Sequence, residues 1–468
     1  MTDNLSDPSA RAPQAGDADA DGRGPDAPAA DKAADGGASA AAEADRHGSA
    51  KGTGRRGFLR AGLGAVGGLA AAGVTGRAGA QAAEGMPPGV PNWTKYLGPG
   101  VISKPYGQPS EFESSVVRRN VEWLTATTQS SVSFTPLYAL EGFVTPNGIC
   151  FERHHGGIAT IDPTQHKLLI NGHVGQDMLF TMNDLLRLPQ ESRFYFLECA
   201  ANTGMEWHGA QLNGCQYTHG MLHCVQYTGV TLRTLFEATG LSDDAKWVLA
   251  EGADASAMTR TIPLEKALDD CMVAYAMNGE RLRPEQGYPL RLVVPGFEGN
   301  MWIKWLRRLE VGDKPYHTRW ETSTYTDLLP SGKARQFTWT MEAKSVITNP
   351  CPEMPLVDKG GQLLRGLAWS GNGKVKRVDV SLDGGRNWQT AKLEEPVLPR
   401  CLTRFTLPFD WRGEEMLVQS RVIDETDYVQ PTINQLQAER GKESIYHNNA
   451  IQTWLIKSTG EVENVHVT

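Results

Sequence analysis

The stretch RFYFLECAANTG, residues 193–204, joins an apolar run to a loop that begins with a cysteine. An apolar and aromatic run of this length predicts a buried strand. Cys199 would then lie where the strand leaves its sheet, and a rigid fold often presents reactive groups on such loops. The residues alone leave four interpretations of Cys199 open: a buried structural thiol, half of a disulfide, a thiolate nucleophile or a metal ligand.

The sequence around this stretch alternates between short strands and helices. Apolar runs bounded by Gly, Pro or Asn predict strands at 166–174, 193–198, 246–252, 288–296 and 301–311. Thr181 and Pro263 are typical of helix starts, and Gly240 is typical of a helix end. This alternation predicts an α+β domain over residues 134–335.

After residue 335 the pattern changes to strands and turns. The segment VKRVDVSLDGGRNWQTAKL, residues 375–393, has two alternating strands around an Asp-Gly-Gly turn, which is a strong hairpin signal. Further strand patterns at short spacing occur at 337–347, 362–371, 403–411 and 415–427. Residues 336–468 are therefore predicted to form an immunoglobulin-like β-sandwich.

The N-terminal region has a different composition. Residues 1–80 begin with a leader too poor in apolar side chains to fold, and then carry Arg55 and Arg56 before a Gly/Ala-rich stretch. This pattern predicts a twin-arginine signal peptide that is cut near Ala80, with export of the folded protein to the periplasm. Its apolar part is shorter than the roughly 20 residues that span a bilayer, so we expect no membrane segment. Residues 81–133 are predicted to form an extended N-terminal arm.

Charge and cysteine content narrow the possible partners and cofactors. The 468 residues include 54 acidic and 46 basic side chains, a formal net charge of −8, without a basic run that would favour nucleic acid. All seven cysteines follow residue 80, and because seven is odd, at least one thiol has no partner within the chain. The other six would form disulfides or stay free. No C-x-x-C-H motif occurs, so we expect no haem in this chain.

Several motifs in a fixed order carry a resemblance to a known family. They are CFERHHGG (150–157), ECAAN (198–202), VPGFEGNMWIKWL (294–306), TSTYTDL (322–328) and the hairpin of residues 375–393. Together they resemble the sulfite oxidase family of molybdopterin enzymes, from about residue 134 to 435. The resemblance implies a sulfite-oxidase-like molybdenum-cofactor domain followed by an immunoglobulin-like dimerisation domain.

The resemblance also implies the catalytic groups. Cys199 matches the cysteine that ligates molybdenum, and a soft thiolate suits a metal centre rich in sulfur ligands. Arg153 matches the catalytic arginine that binds anions, and Tyr325 matches the catalytic tyrosine. Taken singly, Arg153 would equally suit a surface ion pair, and Tyr325 would suit a packed core.

Three further residues match cofactor-binding positions of the family: His155, Asn202 and Lys304. Lys304 is the most informative, because it lies among apolar residues and a buried ammonium needs an anion such as a pterin phosphate. The resemblance thus implies molybdenum and molybdopterin as cofactors.

Some positions depart from the family pattern. Thr203 and Gly204 replace two arginines of the animal sulfite oxidases, which predicts a less basic and more open approach to Cys199. Asn300, Met301 and Trp302 replace an Ala-Arg-His run. With these departures the chain most resembles the sulfane dehydrogenase branch of the family. That branch implies oxidation of the outer sulfane sulfur of a cysteine persulfide, held on a sulfur-carrier protein, to a sulfonate during thiosulfate oxidation.

The same resemblance implies partners. Electrons would pass to a separate c-type cytochrome subunit, in a heterotetramer whose two molybdenum chains dimerise through the C-terminal domain. Two alternatives remain open. One is a periplasmic sulfite dehydrogenase that oxidises free sulfite to sulfate, and the other is a secreted immunoglobulin-like binding protein without chemistry.

Overall fold

The computed structural model describes residue 91 and residues 109–120, 131–211 and 214–467. The predicted leader, the twin-arginine signal and most of the predicted arm lie outside the described residues. Within the described ranges, no helix is long and apolar enough to cross a membrane. The described residues from 109 onward belong to one compact unit.

The first part of this unit is built from short strands and shorter helices. Its strands are β1 (Arg119–Asn120), β2 (Ser131–Phe134), β3 (Arg153–His154), β4 (Lys167–Gly172), β5 (Met178–Thr181), β6 (Glu191–Glu198), β7 (Leu222–Thr231), β8 (Trp247–Gly252), β9 (Thr259–Pro263), β10 (Met272–Met277), β11 (Glu280–Arg281), β12 (Arg291–Val293), β13 (Leu306–Gly312), β14 (Asp327–Leu328) and β15 (Ala334–Arg335). Its helices are α1 (Met182–Leu185), α2 (Cys215–His219), α3 (Leu232–Thr239), α4 (Leu264–Asp269) and α5 (Arg319–Thr322).

Two larger sheets organise these strands. One sheet has the order β11-β10-β7-β6, with β12 also paired to β10, and all its pairs are antiparallel. The other has the order β5-β4-β13-β8-β9, in which β4 and β13 are parallel and the remaining pairs antiparallel. Apolar side chains from both sheets form one continuous core, which also includes the buried face of α3. The small sheets β1-β2-β3 and β14-β15 lie outside this pair.

The helix ends follow local sequence signals. Thr181 and Asp184 form a reciprocal capping box at the start of α1, which satisfies two backbone donors that a helix leaves unpaired. Gly240 ends α3 with a φ of 69°, a conformation that L side chains rarely adopt. The helices predicted from Thr181, Gly240 and Pro263 are therefore confirmed as α1, α3 and α4.

The second part contains strands that form a β-sandwich. They are β16 (Lys344–Asn349), β17 (Gly360–Trp369), β18 (Val375–Ser381), β19 (Gln389–Thr390), β20 (Lys392–Leu393), β21 (Thr403–Trp411), β22 (Met416–Asp424), β23 (Thr453–Ile456) and β24 (Val462–Val465), with helix α6 (Ile433–Arg440) after β22. One sheet has the order β16-β17-β21-β20 and the other β19-β18-β22-β23-β24. The predicted α+β fold with an immunoglobulin-like sandwich is confirmed, whereas the predicted domain boundaries stay predictions.

Several predicted strands are shorter or divided in the structure. The run 337–347 forms a strand only from Lys344, since Phe337 and Trp339 have a positive φ, and the run 288–296 forms one only over Arg291–Val293. The run 301–311 forms a strand only from Leu306, because residues 299–301 make a tight turn and Trp305 has a φ of 52°. The second arm of the predicted hairpin splits into β19, which pairs with β18, and β20, which pairs with β21 in the opposite sheet. Alternation predicts which residues are buried, but it does not say which sheet completes the pairing.

Strand β6 lies between the two cores. Tyr195 and Leu197 pack in the core of the first part, while Phe196 points the other way into the core of the sandwich. Since successive side chains of a strand point to opposite faces, the uninterrupted apolar run matches burial on both faces. The loop that follows β6, which begins at Cys199, is therefore anchored by both domains.

Candidate active site

A cavity opens where β6 ends. Cys199, Arg153, His155, Lys304 and Tyr325 all line it. The structure thus brings together five of the six predicted site residues from positions that span more than a third of the chain. The wall also includes Asn300 and Trp302, which the sequence marked only as departures from the family pattern, and three residues that it did not single out: Asp254, His223 and Arg291.

Cys199 is held by the backbone of its own loop. Its N–H donates to the carbonyl of Met221 at 3.0 Å, and its carbonyl accepts from the N–H of Asn202 at 2.9 Å. The side chain is 8% exposed, and burial raises the pKa of the thiol. A thiolate in this position would need a cationic metal to stabilise its charge.

The side chain of Asn202 stabilises this loop through hydrogen bonds. Its Nδ2 donates to Glu198 Oε1 at 2.9 Å and to the carbonyl of His219 at 3.0 Å, while its Oδ1 accepts from the N–H of Met221 at 3.1 Å. The side chain is buried and does not line the cavity. Its predicted cofactor contact stays a prediction, and the contacts seen in the structure are all with the protein.

Glu198 connects the loop to the sandwich through a buried ion pair. Its Oε1 accepts from Lys344 Nζ at 2.9 Å, and its Oε2 accepts from Trp369 Nε1 at 2.7 Å. Lys344 Nζ also donates to the carbonyl of Asn202 at 3.3 Å. Both charged side chains are at most 1% exposed, so each depends on the other to offset the loss of water.

Lys304 fixes the segment that carries the arginine. Its Nζ donates to the carbonyls of Arg153 and Glu285 at 3.0 Å each and to His154 Nδ1 at 2.8 Å. His154 Nδ1 must therefore accept, which leaves its Nε2–H to donate to Glu152 Oε2 at 2.9 Å. Burial and the nearby Lys304 lower the pKa of His154 to about 3. Burial lowers the pKa of Lys304 as well.

Tyr325 and His155 form a hydrogen-bonded pair at the cavity wall. The Tyr325 hydroxyl lies 2.9 Å from His155 Nε2, and Tyr325 has a φ of 54°. Burial lowers the pKa of His155 to about 3, and burial together with Cys199 raises the pKa of Tyr325. The pair is therefore a neutral imidazole beside a neutral phenol, which can hold or pass one proton.

Arg260 supports Tyr325 and was not found from the sequence. Its guanidinium lies 5.0 Å from the centre of the Tyr325 ring. It also forms buried ion pairs with Glu298 at 3.1 Å and with Glu321 at 3.3 Å, and it contacts Asn300. No local signal marks it, because β9 reads Thr-Arg-Thr-Ile-Pro without an apolar alternation in which a charge would stand out.

Several polar atoms in the cavity wall have no hydrogen-bond partner among the described residues. They are Arg291 Nε, Asn300 Nδ2 and His223 Nδ1, all of them buried. Because buried polar atoms are normally paired, these atoms point to a polar group that completes them. Together with Arg153 and Lys304 they suit an anionic ligand. The wall therefore fits a phosphate-bearing cofactor.

The structure corrects one expectation about the loop. A Cβ on Gly204 would lie 2.6 Å from the carbonyl oxygen of Ile445. Thr203 is buried, and its carbonyl accepts from Asn448 Nδ2 at 3.2 Å. The prediction that these two positions open space beside Cys199 is wrong, because residues 445–448 fill that space.

The cysteine pairing left open by the sequence is resolved as well. All seven cysteines lie within the described residues, and each is a buried free thiol. Cys199 is therefore not half of a disulfide in this structure.

The comparisons with known proteins agree with this site. The structure is similar to the crystal structure of the sulfane dehydrogenase SoxCD from Paracoccus pantotrophus, with a TM-score of 0.79 and 55% identity over 81% of this chain and 98% of that chain. The chain belongs to the sulfite oxidase family of molybdopterin oxidoreductases. The model of the oxidoreductase molybdopterin binding domain matches residues 155–320, and that of the Mo-co oxidoreductase dimerisation domain matches residues 335–454.

More distant members of the family are also similar. The mitochondrial sulfite oxidases of Mus musculus and Homo sapiens are each 31% identical, over 63% of this chain and 59% of theirs. The chain thus spans about three fifths of the length of these curated relatives. Family membership confirms the predicted oxidoreductase class and molybdenum cofactor, and it contradicts the alternative of a binding protein without chemistry.

In a molybdopterin enzyme the bound cofactor supplies the redox chemistry and the oxygen-atom transfer. In this chain, Cys199 would hold the metal, while Arg291 and Asn300 would donate to the pterin and its phosphate. Lys304, whose three donors already bond protein atoms, would contribute its positive charge. Arg153 lines the same cavity, and its guanidinium would present positive charge to an anionic substrate. The Tyr325 hydroxyl can donate a hydrogen bond or move a proton through its contact with His155.

Tyr325→Phe should lower kcat by about 100-fold, because proton transfer by a positioned side chain contributes at least that much. KM should change less, since the phenylalanine ring keeps its packing against Arg260 and Tyr446. Steady-state kinetics of the holoenzyme would measure both. Tyr275→Phe is the matched control, because that hydroxyl bonds Gln190 away from the cavity. Full kcat in Tyr325→Phe would contradict the role.

Proposed function

We propose that this protein oxidises the outer sulfane sulfur of a cysteine persulfide, presented by a carrier protein, to a sulfonate. The observation that carries this proposal is the 55% identity to a sulfane dehydrogenase over nearly the whole of that chain, with a cavity formed around Cys199. Balance requires that one persulfide anion and three waters give one S-sulfonate, six protons and six electrons.

The approach to the cavity supports a substrate larger than a free ion. An open surface recess shares Arg153, His155 and Tyr325 with the inner cavity. Trp320 and Tyr446 form aromatic parts of its wall. Because this recess is open beside Arg153, a sulfur at the end of a peptide can approach the inner cavity from it.

Partners and location are part of the same proposal. The sequence contains no C-x-x-C-H motif for covalent haem. A separate c-type cytochrome subunit would therefore accept the electrons, one at a time. Two molybdenum chains would dimerise through the C-terminal sandwich, which matches a dimerisation-domain family, and would join two cytochromes in a heterotetramer. The paired arginines at 55 and 56 favour export of this assembly to the periplasm.

A second candidate is oxidation of free sulfite to sulfate. It is favoured by Arg153, the cavity cation that is not assigned to the cofactor, and by the similarity to sulfite oxidases. The charge of Arg153 would attract a small dianion without help from a carrier.

Parallel assays of the holoenzyme with cytochrome c as acceptor separate the two candidates. One assay uses a short peptide bearing a cysteine persulfide, and the other uses free sulfite. We expect higher kcat/KM for the peptide, with an S-sulfonate product identified by mass spectrometry. The Cys199→Ser protein provides the background of uncatalysed persulfide oxidation. Rapid turnover of sulfite with no turnover of the peptide would assign the protein to sulfite instead.

A further inference from the structure

A second cluster of metal-binding side chains lies outside the molybdenum cavity. Cys215 is the first residue of α2, and Cys351 and Glu353 follow β16 of the sandwich. The two Sγ atoms lie 3.7 Å apart, and Cys351 Sγ lies 3.2 Å from Glu353 Oε2. Among the described residues, this is the group of three or more His, Cys, Asp or Glu side chains whose ligand atoms all lie within 4.8 Å of one another.

The spacing suits a tetrahedral metal. Two thiolates bound at about 2.3 Å with a tetrahedral angle lie roughly 3.8 Å apart, close to the separation of the sulfurs of Cys215 and Cys351. Both cysteines are fully buried, which keeps these donors away from solvent. A carboxylate oxygen supplies the third ligand, and zinc accepts such mixed sulfur and oxygen sets.

The chain makes room for the carboxylate at this point. A Cβ on Gly214 would lie 1.9 Å from Glu353 Oε2, although the φ of Gly214 is −88° and does not itself need glycine. Glu353 Oε2 accepts from the N–H of Cys215 at 2.9 Å, and its Oε1 accepts from the N–H of Gln216 at 3.0 Å. The carboxylate is therefore fixed beside the two thiols.

The charge of the cluster favours a cation. Two thiolates and a carboxylate in one buried place would repel one another, and a divalent metal ion offsets that repulsion.

We propose that Cys215, Cys351 and Glu353 form a metal site for Zn²⁺ or a similar divalent ion. Binding replaces the two thiol protons by the metal, so two protons are released and no electron is transferred. The site joins α2 to the sandwich. At the other end of α2, the carbonyl of His219 holds Asn202, so the metal stabilises the support of the Cys199 loop.

Metal analysis of the full-length holoenzyme tests this proposal. After treatment with a chelator, the protein should take up about one equivalent of Zn²⁺ per chain besides its molybdenum. When Co²⁺ is supplied to the chelator-treated protein in place of Zn²⁺, it should give a thiolate charge-transfer band and the intense visible bands of a tetrahedral site. Cys351→Ser should lose both signals. Cys224→Ser is the matched control, because Cys224 is also buried and its free thiol lies beside the free thiol of Cys401.

Stability provides a second readout that does not depend on the activity. Bound metal stabilises the folded state, so the chelator should lower the Tm of the wild type and leave that of Cys351→Ser unchanged. If Cys351→Ser does not fold, Cys215→Ser replaces it in both measurements. The proposal is overturned if the wild type binds no Zn²⁺, if the serine variants bind it equally well, or if peptide mapping finds a Cys215–Cys351 disulfide in place of metal.

Discussion

Cys199→Ser is expected to lower kcat/KM by at least about 100-fold, since even indirect supports of a metal ligand cost 10–100-fold when removed. The hydroxyl of serine is a poor substitute for a soft thiolate. Because the pterin-binding groups lie elsewhere in the wall, the cofactor should remain bound. Steady-state kinetics of the purified protein measure the loss of activity. Its molybdenum content and its pterin fluorescence after oxidation show separately whether the metal and the pterin remain bound.

The control for this experiment is Cys271→Ser. Cys271 is buried in the same core but lies outside the cavity, and its thiol donates to the carbonyl of Lys266 at 3.3 Å, which a serine hydroxyl can also do. The Cys271→Ser enzyme should therefore retain the activity of the wild type. Full turnover by Cys199→Ser would show that Cys199 is not the metal ligand, and loss of the pterin would show that the residue acts through cofactor loading.

The second large effect concerns stability. Lys344→Met should lower the free energy of unfolding by about 3–5 kcal/mol, because it leaves the buried carboxylate of Glu198 without its cation. The activity should fall too, since Glu198 positions Asn202 in the loop of Cys199. The midpoint of urea unfolding of the holoenzyme, followed by tryptophan fluorescence, measures the change.

Two further variants identify the cause. In the double variant Glu198→Gln with Lys344→Met both charges are absent, so much of the lost stability should return. Lys376→Met removes a lysine from an exposed ion pair with Asp427 on the same sandwich and should have little effect. If the double variant is as unstable as the single one, the loss is due to packing and not to the unpaired charge.

Much of the site could be predicted from residues close together in the sequence. The run before Cys199 indicates a strand buried on both faces, and β6 confirms it. The motifs around Arg153, Lys304 and Tyr325 predicted residues that do meet in one cavity. Lys304, however, lies before β13 and not in a strand, because the chain turns there and its ammonium reaches two backbone carbonyls.

The remaining features depend on residues that are distant in sequence. Gly204 suggested an open approach, yet the carbonyl of Ile445 occupies that space. The ion pair of Lys344 with Glu198 and the contact of Cys215 with Cys351 each join residues of different domains. No local pattern predicts such contacts, since periodicity indicates which face is buried but not what packs against it.

By itself, the sequence determined the two kinds of domain, the cysteine loop and the family, because strand alternation, turn residues and short motifs are local properties of the chain. The tertiary structure alone decided which polar atoms of the cavity lack a partner, which segment closes the space beside Gly204 and which thiols meet. Those features arise when layers far apart in sequence pack together, and burial then determines whether each charge or donor must find a partner.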